Sequence, residues 1–261
     1  MNFELPFIPE RATKPRDKGI TMMMDKGLSI REAENFIEKS GHLTDFVKLG
    51  FGTSYLTNRL KEKIKLYHEA DIKVYLGGTL FEAFLVRDKL DDYKRLLNDL
   101  DIRACEVSDG SISIAHDLKC ELIRDMAKDF LTLSEVGSKE EGIFISPGKW
   151  ISMMTNELEA GSWKVIAEAR ESGNVGIYRP NGTAHTVLVN KILAQVNQDD
   201  ILWEAPKKPQ QVWFIKLLGA NVNLGNIGPE EVIPLETLRL GLRGDTFFTY
   251  LPENIVEKHQ D

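Results

Sequence analysis

Short apolar runs alternate along the chain with polar clusters and stretches of helical period, and the cycle recurs eight times. The apolar runs are 19–24, 45–49, 73–77, 104–107, 131–135, 164–169, 200–204 and 221–224. Their starts lie roughly 20 to 36 residues apart, which leaves room in each unit for a strand, a helix and two loops rather than for a hairpin. Helical spacing is clear over 29–39, where Ser29 and Glu32 form a capping-box pair and Ile30, Ala33 and Ile37 share a face. It recurs over 57–70, 80–100, 114–128, 149–160 and 185–196. Eight such units in about 250 residues predict an α/β fold, a (β/α)8 TIM barrel in a single domain over 1–261, with a short leader (1–18) and a polar tail (253–261). A doubly wound dinucleotide-binding sheet is the competing arrangement. It needs a third glycine after Gly50 and Gly52, and Tyr55 stands where that glycine belongs.

Composition narrows the chemistry. The 261 residues carry 33 basic and 40 acidic side chains, a net charge of −7 with no basic block, so neither nucleic acid nor an anionic membrane is an expected partner. No apolar run approaches the roughly 20 residues that span a bilayer, and the first residues lack the pattern of an export signal, so a cytoplasmic location is expected. Cys105 and Cys120 are too few for a disulfide framework. The five histidines are scattered, so any metal is expected to be held by oxygen. Trp150, Trp163, Trp203 and Trp213 are read as packing residues.

A barrel of this kind keeps its reactive groups at the carboxyl ends of the strands, and those ends are rich in polar residues. In order they offer Asp25 and Lys26; Lys48, Gly50, Gly52 and Thr53; Gly77, Gly78 and Thr79; Glu106, Ser108 and Asp109; Glu135 and Lys139; Glu168 and Arg170; Glu204; and Asn223, Gly225 and Asn226. Charges inside strand runs are costly to bury unless paired, so one reading is a network of ion pairs filling the barrel mouth. The other is that Glu106, Glu135, Glu168 and Glu204, with Lys48 and Arg170, converge on a site for a metal and an anionic substrate. In the last unit, Gly225, the amides of Asn226 and Ile227, and a short helix started by Pro229 suggest a phosphate site. An ordinary glycine turn explains the same residues.

Taken in order, several of these segments resemble the phosphosulfolactate synthase family, known from coenzyme M biosynthesis. They are Lys14 to Thr21 (Lys-Pro-Arg-Asp-Lys-Gly-Ile-Thr) with Asp25, Val47 to Ser54 (Val-Lys-Leu-Gly-Phe-Gly-Thr-Ser) and Tyr75 to Glu82 (Tyr-Leu-Gly-Gly-Thr-Leu-Phe-Glu). Further along come Glu106 to Ser111 (Glu-Val-Ser-Asp-Gly-Ser), Ser134 to Lys139 (Ser-Glu-Val-Gly-Ser-Lys) and Glu168 to Gly173 (Glu-Ala-Arg-Glu-Ser-Gly). The series ends with Trp203 to Pro206 (Trp-Glu-Ala-Pro) and Val222 to Ile227 (Val-Asn-Leu-Gly-Asn-Ile).

The resemblance implies a magnesium-dependent lyase, a homo-oligomer with a trimer as one candidate, that joins sulfite to phosphoenolpyruvate to give (2R)-phospho-3-sulfolactate. Placed on this sequence, Lys139 is the expected general acid, and Lys48 and Arg170 bind sulfite and the substrate carboxylate. Glu106 and Glu135 are the first candidates for magnesium, with Asp25 and Glu204 behind them, and manganese fits the same oxygen ligands. Asn223, Gly225 and Asn226 would hold phosphate, with Gln210 and Gln211 closing over the site. Two other readings use the same architecture: an aldolase-like lyase with Lys139 or Lys48 as a Schiff-base lysine, and a barrel that binds a phosphorylated metabolite without turnover.

Overall fold

A computed structural model describes residues 2–137, 145–169 and 172–260. Lys139 and Arg170 lie outside the described residues. Eight parallel strands alternate with helices: β1 (Thr21–Asp25), β2 (Phe46–Leu49), β3 (Lys73–Leu76), β4 (Ala104–Val107), β5 (Leu131–Val136), β6 (Lys164–Ala167), β7 (Ile201–Glu204) and β8 (Leu224–Ile227). The helices are α1 (Ile30–Ser40), α2 (Leu60–Glu69), α3 (Gly78–Leu85), α4 (Leu90–Asp99), α5 (His116–Met126), α6 (Pro147–Glu159), α7 (Thr186–Leu193), α8 (Lys208–Leu218), α9 (Val232–Arg239) and α10 (Glu253–His259). Among the described residues no helix is long and apolar enough to cross a membrane.

The strands pair in the order β3-β2-β1-β8-β7-β6-β5-β4. The sheet thus curls into a nearly closed (β/α)8 barrel in which β3 and β4 adjoin without a hydrogen-bond ladder between them. Period-two alternation builds two cores from one set of strands. Met22, Phe46, Tyr75, Ala104, Leu133, Ile166 and Leu202 fill the barrel. Their strand neighbours Met23, Val47, Val74, Cys105, Val165 and Trp203 pack under the helices. Trp203 stacks on Phe214 with ring centroids 4.9 Å apart, which agrees with its reading as a packing residue.

Local sequence sets most boundaries. Ser29 accepts from the Glu32 amide while the Glu32 carboxylate accepts from the Ser29 amide, so both orphan donors at the start of α1 are satisfied. Two expectations are corrected. The single helix over 80–100 is broken into α3 and α4, because the charged stretch from Arg87 to Asp92 interrupts the apolar stripe and Asp88 turns through a positive φ of 53°. The two pieces then pack through Phe81, Phe84 and Tyr93. The tail keeps its polar character and forms a helix, α10. The last strand begins at Leu224, three residues later than the run 221–224 suggests, and α9 starts at Val232, beyond Pro229.

Gly78, the first residue of α3, sits where any side chain would collide. An added Cβ would lie 2.2 Å from Ser108 Oγ and 2.6 Å from Glu106 Oε1. Gly78→Ala is expected to lower the unfolding free energy by about 1–3 kcal/mol in urea denaturation. The same exchange at Gly148 in α6, where an added Cβ meets nothing within 4 Å, should leave stability unchanged or raise it by up to about 1 kcal/mol.

Candidate active site

At the carboxyl end of the barrel a cavity of about 400 Å³ is lined by Lys48, Glu106, Glu135 and Glu204, with Gly50, Phe51, Gly77, Gly78, Thr79, Ser172 and Asn226 on its walls and rim. The strand ends deliver these groups because each charged residue follows an inward-facing apolar one by two positions: Phe46 then Lys48, Ala104 then Glu106, Leu133 then Glu135, Leu202 then Glu204. The Lys48 ammonium is 2.9 Å from Glu106 Oε2, 3.6 Å from Glu204 Oε1 and 3.7 Å from Glu135 Oε1. All four are buried.

Burial alone would strip the proton from Lys48. Its three carboxylate neighbours outweigh that effect and hold its pKa well above the ordinary lysine value. The balance is plausible in magnitude, since one ion pair at about 4 Å contributes about 4 kcal/mol at an effective dielectric of about 20. The acids in turn outnumber the ammonium. Burial, followed by the nearby Glu135 and Glu106 charges, pushes Glu204 up to about 8 against the pull of Lys48 and of the Ala169 amide, which donates to its Oε2 at 2.8 Å. The cluster therefore stores a proton near neutrality and offers a surplus of carboxylate oxygen to the cavity.

The other expected residues scatter. Glu168 is buried beside the same mouth, where an added Cβ on Gly137 would lie 2.7 Å from its Cβ. Asp25 faces outward: Lys63 on α2 pairs with it at 2.8 Å, Tyr67 donates to it at 3.0 Å, and the Gly27 and Leu28 amides donate at 2.7 and 2.8 Å. Its place is under the helices, where it ties β1 to α2.

Asn223 is likewise not at the mouth. It accepts from the Ile20 amide at 3.1 Å and donates to the Asp199 and Ile201 carbonyls, at the opposite end of the barrel. The cause is the three-residue shift of β8, which puts Asn223 before the strand instead of near its carboxyl end. Gly225 lies within the strand, where an added Cβ would be 2.7 Å from Met22 Cε. Asn226 does line the cavity, at a positive φ of 58°.

Gln210 is buried and donates to the Gly173 and Gly182 carbonyls at 2.8 and 3.2 Å, which pins the loop after β6. Gln211 donates to the Ala205 carbonyl at 3.2 Å.

Two buried groups near the mouth had no role from sequence. Lys119 on α5 donates to the Glu135 carbonyl at 2.5 Å and pairs with Asp109 at 2.9 Å and Glu157 at 3.0 Å. Glu82 on α3 accepts from the loop after β4. Glu82 carried a signal, as the one acid in the otherwise apolar or small stretch Gly-Thr-Leu-Phe-Glu-Ala-Phe-Leu. Lys119 carried none, since its sequence neighbourhood resembles any polar helix face.

Polar groups from several strands meeting at the carboxyl face of a (β/α)8 barrel define a barrel enzyme. The family follows from comparison: the chain belongs to the (2R)-phospho-3-sulfolactate synthase (ComA) family, whose model matches residues 9–245. It is 44% identical over 245 residues to the phosphosulfolactate synthase of Methanothermobacter thermautotrophicus, covering 91% of this chain and 95% of that protein. To the phosphosulfolactate synthase of Bacillus subtilis it is 39% identical over 244 residues, covering 92% and 97%. Among solved structures, 3-hexulose-6-phosphate synthase from Salmonella typhimurium superposes with a TM-score of 0.56 at 15% identity, over 86% of this chain and all (100%) of that one. That likeness concerns the fold alone.

The raised Glu204 carboxyl has a consequence for stability. Between about pH 4.5 and 8 the folded chain holds a proton that the unfolded chain has released, so stability falls as pH rises through that window and levels off above it. Glu204→Gln cannot ionise. In urea denaturation with chelator present, the variant should gain stability relative to the wild type on going from about pH 5 to about pH 8.5. A wild-type minus variant difference independent of pH would show that Glu204 titrates normally.

Proposed function

We propose that this enzyme is a lyase that adds sulfite to phosphoenolpyruvate. The observation that supports it is the sharing of one cavity floor by an ammonium and three carboxylates in a member of this family. The sulfite sulfur attacks the methylene carbon and forms the carbon–sulfur bond. The electron pair of the carbon–carbon double bond moves toward the carboxylate, giving an enediolate, and a proton delivered to the adjacent carbon completes (2R)-phospho-3-sulfolactate with its phosphate ester intact.

Lys48 supplies fixed positive charge for the incoming anions. Because its three acid neighbours keep it protonated, it serves as an electrostatic group and is unsuited to act as a Schiff-base nucleophile. Arg170, with its planar guanidinium, is assigned to bidentate recognition of an oxyanion, and Lys139 to donation of the proton. Asn226 lines the mouth, where the phosphate would be held.

The donor set fits magnesium. It consists of oxygen, and among the described residues no three His, Cys, Asp or Glu side chains form a ready cage. This suits an ion that takes one or two carboxylates and fills its shell with water and substrate oxygens. Glu106 and Glu135 would hold it, with Glu204 adjacent, and manganese would fit the same ligands. Bound there, the ion would supply the positive charge that an enediolate oxygen requires. The homo-oligomer belongs to the same proposal, and Phe51 on the cavity wall and Tyr55 and Leu56, nearby in sequence, are exposed apolar side chains that it could cover.

Phosphorus NMR of the purified protein with phosphoenolpyruvate, sulfite and magnesium tests the reaction. A new phosphate-ester resonance that needs both sulfite and metal is expected. Intact phosphoenolpyruvate in the presence of folded protein would remove the assignment. Lys139→Ala should depress kcat by a factor on the order of 10²–10⁴ with the KM for phosphoenolpyruvate little changed, and near-normal turnover would take Lys139 out of the proton-donor role.

A further inference from the structure

The segments Gly77 to Glu82 and Glu106 to Ser111 meet at the one place where the barrel lacks a ladder. Strands β3 and β4 adjoin there without backbone hydrogen bonds between them, and side chains bridge the gap instead. The Gly78 amide donates to Glu106 Oε1 at 2.7 Å. One turn further along α3, the buried Glu82 carboxylate takes three donors from the segment just after β4. These are the Ser108 hydroxyl, the Gly110 amide at 2.9 Å and the Ser111 amide at 2.9 Å. The two contact points leave no slack, since a single methyl added at Gly78 would overlap Ser108 and Glu106 together.

We propose that Glu82 is a positioning residue for Glu106: it clasps residues 108–111 to α3 across the open seam, and so fixes the Glu106 carboxylate where it faces both Lys48 and the cavity. The clasp does in side chains what a ladder does elsewhere in the barrel. A backbone ladder holds a strand but does not aim a side chain. Three charge-assisted hydrogen bonds to residues 108–111, just beyond β4, set both the depth of the strand and the direction of Glu106. Glu82 itself does not line the cavity, so it acts on the reaction only through this placement. The inference rests on the assignment of Glu106 to the active site.

The test compares wild type, Glu82→Ala, Glu82→Gln, Glu106→Gln and the double variant Glu82→Ala/Glu106→Gln as full-length, folded protein. Glu82→Ala should lower kcat by about 30-fold or more with the KM for phosphoenolpyruvate within about threefold. Glu82→Gln, which keeps one acceptor oxygen, should lose less. If Glu82 acts through Glu106, the double variant is no slower than Glu106→Gln alone. Multiplicative losses would show that the two act independently and would overturn the proposal, as would a folded Glu82→Ala with kcat near that of the wild type.

Should Glu82→Ala fold poorly, Ser108→Ala removes one of the three donors and should show a smaller loss that is likewise absent in the Glu106→Gln background. Crystal structures of wild type and Glu82→Ala give a readout free of activity. Residues 108–111 and the Glu106 carboxylate should be displaced, with the contact to the Gly78 amide broken. An unmoved Glu106 overturns the clasp even where turnover falls, whereas a wild type inert toward sulfite and phosphoenolpyruvate overturns the reaction and leaves this structural comparison decisive.

Discussion

The mouth of this barrel depends on one ammonium placed among three carboxylates. Without Lys48, Glu106, Glu135 and Glu204 would be like charges sharing a buried space, and removing one partner from a buried ion pair typically costs about 3–5 kcal/mol. With it, the acids gather at short range, the lysine stays charged, and one carboxyl keeps its proton near neutrality. The arrangement yields a floor rich in oxygen that also carries a cation. Anions alone would be repelled by the acids, and a metal alone would be repelled by the lysine. The mixture lets each charge be screened by a neighbour until reactants arrive.

Whether a strand-end charge joins this floor is decided by parity along its strand. Glu106 and Glu135 point inward and reach Lys48. Asp25 has the other parity and meets Lys63 and Tyr67 under α2. Lys119 and Glu157 form the corresponding outer pair under β5, where the lysine also holds the Glu135 carbonyl. The outer pairs anchor helices to strands at the level of the site. They leave the inner charges free to be arranged by chemistry rather than by packing.

The barrel was legible because its signal is repetitive. Eight apolar runs at similar spacing survive errors of a few residues at any boundary, and the convergence of Lys48 with Glu106, Glu135 and Glu204 follows once strand ends are known. What failed was what a small register error destroys. A shift of three residues in β8 carried Asn223 from the mouth to the opposite end, where it bonds to backbone at the starts of β1 and β7. Parity misled for Asp25, because a polar residue ending a run gives no sign of which side it faces. The roles of Glu82 and Lys119 are set by partners distant in sequence, Ser108, Gly110 and Ser111 for the one and Asp109, Glu135 and Glu157 for the other. Gln210 was noticed as a neighbour of the site, but its hydrogen bonds run to the Gly173 and Gly182 carbonyls, a tertiary fact that no local pattern encodes.

The opposite end of the barrel bears on how the molecule is made. Arg11 pairs with Glu236 at 2.7 Å and bonds to Asn221, while Arg239 donates to the Ile20, Ala220 and Val222 carbonyls. The first and last units are thus stitched together by residues 225 apart in sequence. A ribosome releases the amino-terminal partner long before the carboxyl-terminal one exists. Until β8 emerges, β3-β2-β1 and β7-β6-β5-β4 have no strand to join them, and β1 has an exposed edge. Closure waits for β8, and the interval in which that edge stands uncovered is set by the stretch of chain between β1 and β8 rather than by the strength of any single contact.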